Sequence, residues 1–425
     1  MRRRRLLALA GASVLTLALA ACGGSTGATG TSGASGDAQP AADRTFLIWA
    51  DQKRADALRP FAEAFAAENG VKAEIVAVTQ NQQQTFVTAS QAGKGPDVMV
   101  GAHDWIGNLV QNGLIDPIPV PADRMDDYVD VARKAVTYQG QVYAVPYAVE
   151  SLVLFRNTDL VPDAPKTFDE LVEKGEELRR AGKVEQALGY TVSQQDGQSG
   201  DTYHMYPLYS SGGGYLFGST ATGDADPGDL GVGSPASVAA FEKIAALGEG
   251  GAGVLRRSFT SDNSAAAFTS GKTPFLVAGP WRLADARTAG THYAITPVPG
   301  FAGGSTARSF VGVQSFFVAS KGANKALAQE FVAQTLGSVE VADALYAAEP
   351  RLPALKEALS HARAADPDVA AFEEAAELGV PLPSIPQMAA IWGPFNTLVH
   401  SVVKGDPVAP SVTAAAKAIK DQLAS

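Results

Sequence analysis

The sequence holds one cysteine, Cys22, and five histidines in 425 residues. A single cysteine excludes an internal disulfide, so the fold must be held by its core. The length is ample for two domains. His103 and His204 show no metal-ligand spacing with the other histidines, so neither a metal site nor a cofactor is expected. Positive charge is also short: 34 Lys and Arg face 44 Asp and Glu, a net −10. Residues 1–21 hold four arginines and no acid, so losing those four charges from −10 leaves a body of −14. An acidic body argues against nucleic acid as partner and against electrostatic adsorption to anionic lipid. No repeat of solenoid period is visible.

The N-terminus is the exception to the acidic balance. Arg2 to Arg5 precede an apolar stretch from Leu6 to Ala21, broken only by Gly11, Ser13 and Thr16. That is a charged region followed by a hydrophobic one too short for a membrane span, the pattern of a signal peptide. It ends Leu19-Ala20-Ala21-Cys22-Gly23, which resembles the lipobox of bacterial lipoproteins. The resemblance implies cleavage after residue 21, lipidation of Cys22 and anchoring to the outer face of the cytoplasmic membrane. Residues 22–43 are mostly Gly, Ser, Thr and Ala with almost no bulky apolar side chain, the composition of a flexible tether.

From Arg44 onward short apolar runs alternate with helical stretches. Phe46 to Trp49, Glu74 to Val78 and Pro96 to Val100 read as strands. Ala55 to Glu68 reads as a helix with Leu58, Phe61, Ala62 and Phe65 on one face, and Gln83 to Gln91 as another. Such alternation predicts parallel βαβ units and an α/β fold. Val136 to Tyr138 and Gln141 to Val145 form a hairpin around Gln139-Gly140. Thr167 to Glu170 is a capping box, in which each side chain satisfies the other's backbone donor. Ser234-Pro235 opens a further helix. Leu152 to Arg156, Thr273 to Ala278 and Phe310 to Ala319 read as strands, and the last third is helical, including Lys325 to Leu336 and Gln387 to Val403.

Several blocks are more specific. Gly101-Ala102-His103-Asp104-Trp105-Ile106-Gly107, Pro146 to Glu150, Tyr203 to Leu208 with Gly213 to Tyr215, Gly279-Pro280-Trp281, Phe310 to Val313, and Ile385 to Trp392 occur in that order. Together they resemble the extracellular solute-binding proteins of sugar importers, specifically the maltose-binding family, from about Phe46 to the C-terminus. The resemblance implies a two-lobed periplasmic-binding-protein fold, each lobe a sheet flanked by helices, joined by crossing hinge segments. One lobe would comprise 44–148 plus 316–361 and the other 149–315 plus 368–425. It also implies a monomer that captures a maltodextrin-type oligosaccharide in the interlobe cleft, delivers it to the membrane permease of an ATP-driven importer, and is not an enzyme.

A sugar presents apolar faces and a rim of hydroxyls, so its site needs aromatic plates together with carboxylates or amides that accept charge-assisted hydrogen bonds. The resemblance assigns plates to Trp281, Trp392 and Tyr203 and hydroxyl-binding carboxylates to Asp104 and Glu150. Asp201 takes the place of a family glutamate, Asp51 and Lys53 fall near an Asp-Lys pair, His204 stands where the family has an aromatic ring, and Asn396 replaces an arginine. Gly101 stands where a tryptophan is usual, so Trp105, one turn on, is expected to replace the missing plate. The family's remaining stacking tyrosine has Ser261 as its nearest match. Plainer readings exist: a lone tryptophan can be a core anchor, and Asp104 can cap a helix starting at Trp105. Glu150 ends an apolar run, where an unpaired acid would be costly to bury. Another oligosaccharide is an alternative ligand. A secreted glycoside hydrolase, using two of the cleft carboxylates, is the alternative from another class.

Overall fold

The computed structural model describes residues 44–221 and 224–424. The expected signal peptide, Cys22 and the expected tether lie outside the described residues. The large sheet has the order Lys72–Ala77, Thr45–Ala50, Val98–Ala102, Phe310–Val318, Ala144–Glu150, Leu352–Pro353, and Val380–Pro381 pairs with the start of Phe310–Val318. The first three strands are parallel, as their alternation with helices predicts. Phe310–Val318 runs antiparallel to Val98–Ala102 and Ala144–Glu150, Leu352–Pro353 is antiparallel to Ala144–Glu150, and the short Val380–Pro381 is parallel to Phe310–Val318. The parallel βαβ units thus hold over the first three strands, and the rest of the sheet is built antiparallel. Phe310–Val318 returns from the second sheet and enters from the opposite end, so no right-handed crossover connects it to its neighbour.

The second sheet is Tyr293–Pro297, Val153–Asn157, Phe275–Ala278, Gly189–Tyr190. Two segments join the sheets, 150–153 and the stretch from Pro297 to Phe310, and a third connection leaves Leu352–Pro353 and returns through Asp366 and Asp368 to the large sheet at Val380–Pro381. The lobe boundaries expected at 148/149 and 315/316 lie inside two strands of the large sheet, Ala144–Glu150 and Phe310–Val318. At the third connection Arg287 Nη2 donates to Asp366 at 2.7 Å and to Asp368 at 2.6 Å. Tyr346 and Tyr293 donate to the same two carboxylates.

The core explains why these runs are strands. All residues of Ala144–Glu150 and Val153–Asn157 are buried, as expected of central strands covered on both faces. Helix Gln52–Glu68 lays Leu58, Ala62 and Phe65 on the sheet, and Phe65 joins Phe46 and Phe331 in one aromatic cluster. Tyr209, Phe241 and Phe395 do the same beneath the second sheet. The hairpin turns at Gln139 (φ 50°) and Gly140 (φ 78°), the two left-handed residues of a turn that matches strand twist. Helix Phe168–Arg180 is capped by Thr167 Oγ1, which accepts from Glu170 N at 3.1 Å. The reciprocal half of the box is displaced: Glu170 accepts from Lys166 N instead. The helix expected over 325–336 ends as Lys325–Glu330 and continues as a π turn, Phe331–Thr335.

Candidate functional site

The site residues gather where the strand ends of the two sheets meet. Val98–Ala102 stops at Gly101-Ala102 and passes into the short turn His103–Trp105. Gly101 is required there by close approach: a side-chain carbon at 101 would lie 2.1 Å from Trp105 Cζ3. Phe275–Ala278 ends in the same way on the other side, at Gly279 and the turn Pro280–Arg282, where a carbon at 279 would lie 2.1 Å from Trp281 Cζ3. In each case a glycine clears the strand end so that an indole can lie across it. Trp105, Trp281 and Trp392 all remain half-buried.

Around Trp281 the rings are contiguous. Tyr203 lies 6.2 Å away, His204 6.1 Å, and Phe310 is 5.9 Å from Tyr203 and 6.3 Å from Trp392. Tyr203 and His204 open helix Thr202–Ser211, which Asp201 caps by accepting from His204 N at 2.9 Å. Asp201 Oδ1 is also 3.1 Å from His204 Nδ1. His204 Nε2 and the buried Tyr203 hydroxyl have no hydrogen-bond partner. Burial works to raise the Asp201 pKa, but the His204 charge and N–H donors prevail and hold it low.

Asp104 does not cap a helix. Neither the turn at His103 nor helix Ile106–Gln111 has a side-chain cap. Its carboxylate is 7 % exposed, and burial pushes its pKa up to about 7 against the opposing pull of its own backbone N–H and the Trp392 indole N–H. An acid held this way, beside unpartnered hydroxyl and imidazole groups and indole faces, can accept hydrogen bonds from a polyhydroxylated molecule.

Glu150 has partners that sequence reasoning missed. Arg351 Nη1 donates to its Oε2, and Gln314 Nε2 to its Oε1 at 3.0 Å. Arg351 also donates to Glu349 at 2.6 Å, and its guanidinium lies over Trp281, 5.4 Å from the ring centroid. Burial and the neighbouring Arg54 charge lower the Arg351 pKa to about 9, which leaves it protonated at neutral pH. Glu349 in turn receives Arg54 Nη2 and Lys53 Nζ, the latter at 2.7 Å. Asp51 is the N-cap of helix Gln52–Glu68 and accepts from Lys53 N and Arg54 N. Asn396 is occupied within its own half, its Oδ1 accepting from Thr202 N at 2.9 Å and from the Thr202 hydroxyl. Ser261 accepts from Arg282 rather than presenting a ring. Arg351 and Glu349 lie in an irregular Glu-Pro-Arg-Leu-Pro stretch with no periodic signal. Only their charge, in a run otherwise reading as core, could have marked them.

Among the described residues no group of three or more His, Cys, Asp or Glu could hold a metal ion. No helix among them is long and apolar enough to cross a membrane.

A two-sheet α/β body whose half-buried indoles and buried acids converge at the strand ends defines a ligand-receiving protein, and comparison places it. Residues 61–371 match the model of the bacterial extracellular solute-binding protein family, and the chain belongs to that family. Its members bind solutes and carry out no catalysis, which removes the hydrolase alternative. The chain is 28 % identical over 408 residues to the galactooligosaccharide-binding protein of Bacillus subtilis (strain 168), covering 92 % of this chain and 91 % of that one. It is 27 % identical to the maltodextrin-binding protein MdxE of the same organism (94 % and 92 % covered). It is 26 % identical to the diacetylchitobiose binding protein DasA of Streptomyces coelicolor (95 % of each).

Proposed function

We propose that this protein is the oligosaccharide receptor of an ATP-driven importer and that its ligand is a maltodextrin-type sugar. Trp281, Trp392, Tyr203 and Trp105 would stack on sugar faces. Asp104, Glu150, Asp201, His204, Asn396, Asp51 and Lys53 would meet the hydroxyl rim. The observation that carries this reading is the set of unsatisfied polar groups inside an aromatic frame: the Tyr203 hydroxyl and His204 Nε2 lack partners, and Asp104 is buried with its pKa raised. Buried polar groups without partners are costly, and a ligand rich in hydroxyls supplies what they lack. The names of the relatives point to oligosaccharides as a class and differ in the sugar.

In this account the two sheets belong to lobes that close on the sugar, closure being driven by the sugar's greater affinity for the closed form. The closed form docks on the permease subunits as a monomer. Cys22 carries the lipid, and residues 23–43 tether the body to the outer face of the membrane. The test is calorimetry on the protein lacking residues 1–43, with maltotriose, maltotetraose, a galactooligosaccharide and diacetylchitobiose. Saturable binding of the maltodextrins is expected, with no shortening of the sugar. Binding of only another member of the panel would remove the maltodextrin assignment, and binding of none would remove the oligosaccharide reading.

A further inference from the structure

His103 is fully buried, 0 % exposed, and both ring nitrogens are used. Val313 N donates to its Nδ1 at 3.0 Å, and its Nε2 lies 2.9 Å from the Leu382 carbonyl oxygen. Since Nδ1 accepts, the proton sits on Nε2 and the ring is a neutral donor and acceptor in one. Burial lowers its pKa to about 4, against the pull of the two backbone bonds.

The two backbone groups belong to different segments, and both lead to the site. Val313 lies on Phe310–Val318, whose first residue touches Tyr203 and Trp392. Leu382 follows Val380–Pro381 and itself donates from N to Val311 O at 3.1 Å. The chain then runs through Pro386–Met388 into helix Ala389–Lys404, which carries Trp392. A second contact fixes the same spacing. Gly107 lies so close to this segment that a side-chain carbon there would be 2.5 Å from both Ser384 O and Pro386 N. The turn bearing Asp104 and Trp105 is thus attached on both flanks to the segment that delivers Trp392.

We propose that His103 is a positioning residue for ligand capture: by bonding Val313 and Leu382 it sets the separation between the Asp104–Trp105 turn and the Trp392 helix, so that this part of the site is assembled before the ligand arrives. The inference rests on the oligosaccharide reading above. By contrast, the Arg351 contact with Trp281 joins the turn after Phe275–Ala278 to the large sheet through side chains alone.

The experiment uses the full chain and whichever oligosaccharide the unsubstituted protein binds most tightly. Calorimetric Kd and sugar-free urea unfolding are measured for His103→Ala, His103→Asn and Gly107→Ala, and the first is also combined with Asp104→Asn. The asparagine side-chain oxygen can still accept from Val313 N, as Nδ1 does. His103→Ala should raise Kd at least tenfold and His103→Asn should recover most of that loss. In the Asp104→Asn background His103→Ala should add less than threefold, because residues acting through one another are not additive. A folded His103→Ala protein with Kd within twofold of the unsubstituted one overturns the inference. A full tenfold loss repeated in the Asp104→Asn background also overturns it, because a general structural role gives additivity. Should His103→Ala not fold, Gly107→Ala and His103→Asn decide: Kd raised fivefold or more by Gly107→Ala supports the inference, and an unchanged Kd overturns it. Failure of the unsubstituted protein to bind any oligosaccharide overturns the underlying reading instead.

Discussion

Asp104→Asn should make the sugar-free protein more stable while making it a poorer receptor. Asp104 is nearly buried, and its pKa is raised from 3.8 to about 7. A carboxyl whose folded pKa lies above its unfolded value favours the folded state fully below the unfolded pKa, and that contribution is lost as pH rises through the folded pKa. At pH 8 the ionised group therefore costs the fold. A rise of about 3 units at 1.36 kcal/mol each sets an upper value on the order of 4 kcal/mol. Water drawn to the buried charge, and the weaker bond Trp392 makes to a neutral amide oxygen, reduce this, so asparagine should stabilise by roughly 2–4 kcal/mol at pH 8. At pH 4, where the acid is already protonated in the fold, the gain should be small. The assay is urea unfolding of the sugar-free protein at both pH values, with the sugar Kd measured at pH 8. Sugar binding should also weaken in the unsubstituted protein as pH falls below 7, by up to roughly tenfold per unit, and the Asp104→Asn profile should be flatter. Equal stability changes at pH 4 and pH 8, or stability gained with no loss of affinity, would refute the reasoning.

Three further outcomes are expected. Trp281→Ala should cost about 1–3 kcal/mol of sugar affinity by calorimetry, using base–aromatic stacking as the scale. Gly279→Ala forces a carbon to within 2.1 Å of Trp281 Cζ3, so the indole must swing and Kd should rise roughly tenfold. Arg54→Ala removes one buried partner of Glu349, both side chains being 6 % exposed. Because Lys53 and Arg351 remain on Glu349, the loss in urea unfolding should sit at the low end for a broken buried pair, about 3 kcal/mol.

Much of this architecture was legible because its signals are local. Val98–Ala102 and Ala144–Glu150 are apolar over their length because sheet neighbours and helices cover both faces. The Gln139-Gly140 turn and the Thr167 cap are decided by a few adjacent residues. The motifs single out the indoles and acids, and the glycines at 101 and 279 show how a bare strand end lets an indole lie across it. What stayed hidden is long-range. Arg54 and Glu349 are 295 positions apart and Arg351 and Glu150 are 201 apart, and no spacing rule connects them. The direction of Phe310–Val318 depends on a return through the second sheet, which a strand's own sequence does not encode. Asp104, for which a helix cap is the plainer of two readings, caps nothing, because the chain leaves the strand through a turn with its cap at Ala102.

The central claim is that an oligosaccharide is held against Trp281 and Trp392, two of the protein's four tryptophans. It is tested most directly by iodide quenching of tryptophan emission with and without saturating maltotriose, binding itself being followed by calorimetry. The account predicts that bound sugar shields the half-buried indoles and lowers the quenching constant, and that Trp281→Phe with Trp392→Phe removes the change. Calorimetric binding that leaves quenching unaltered would place the sugar elsewhere and contradict it.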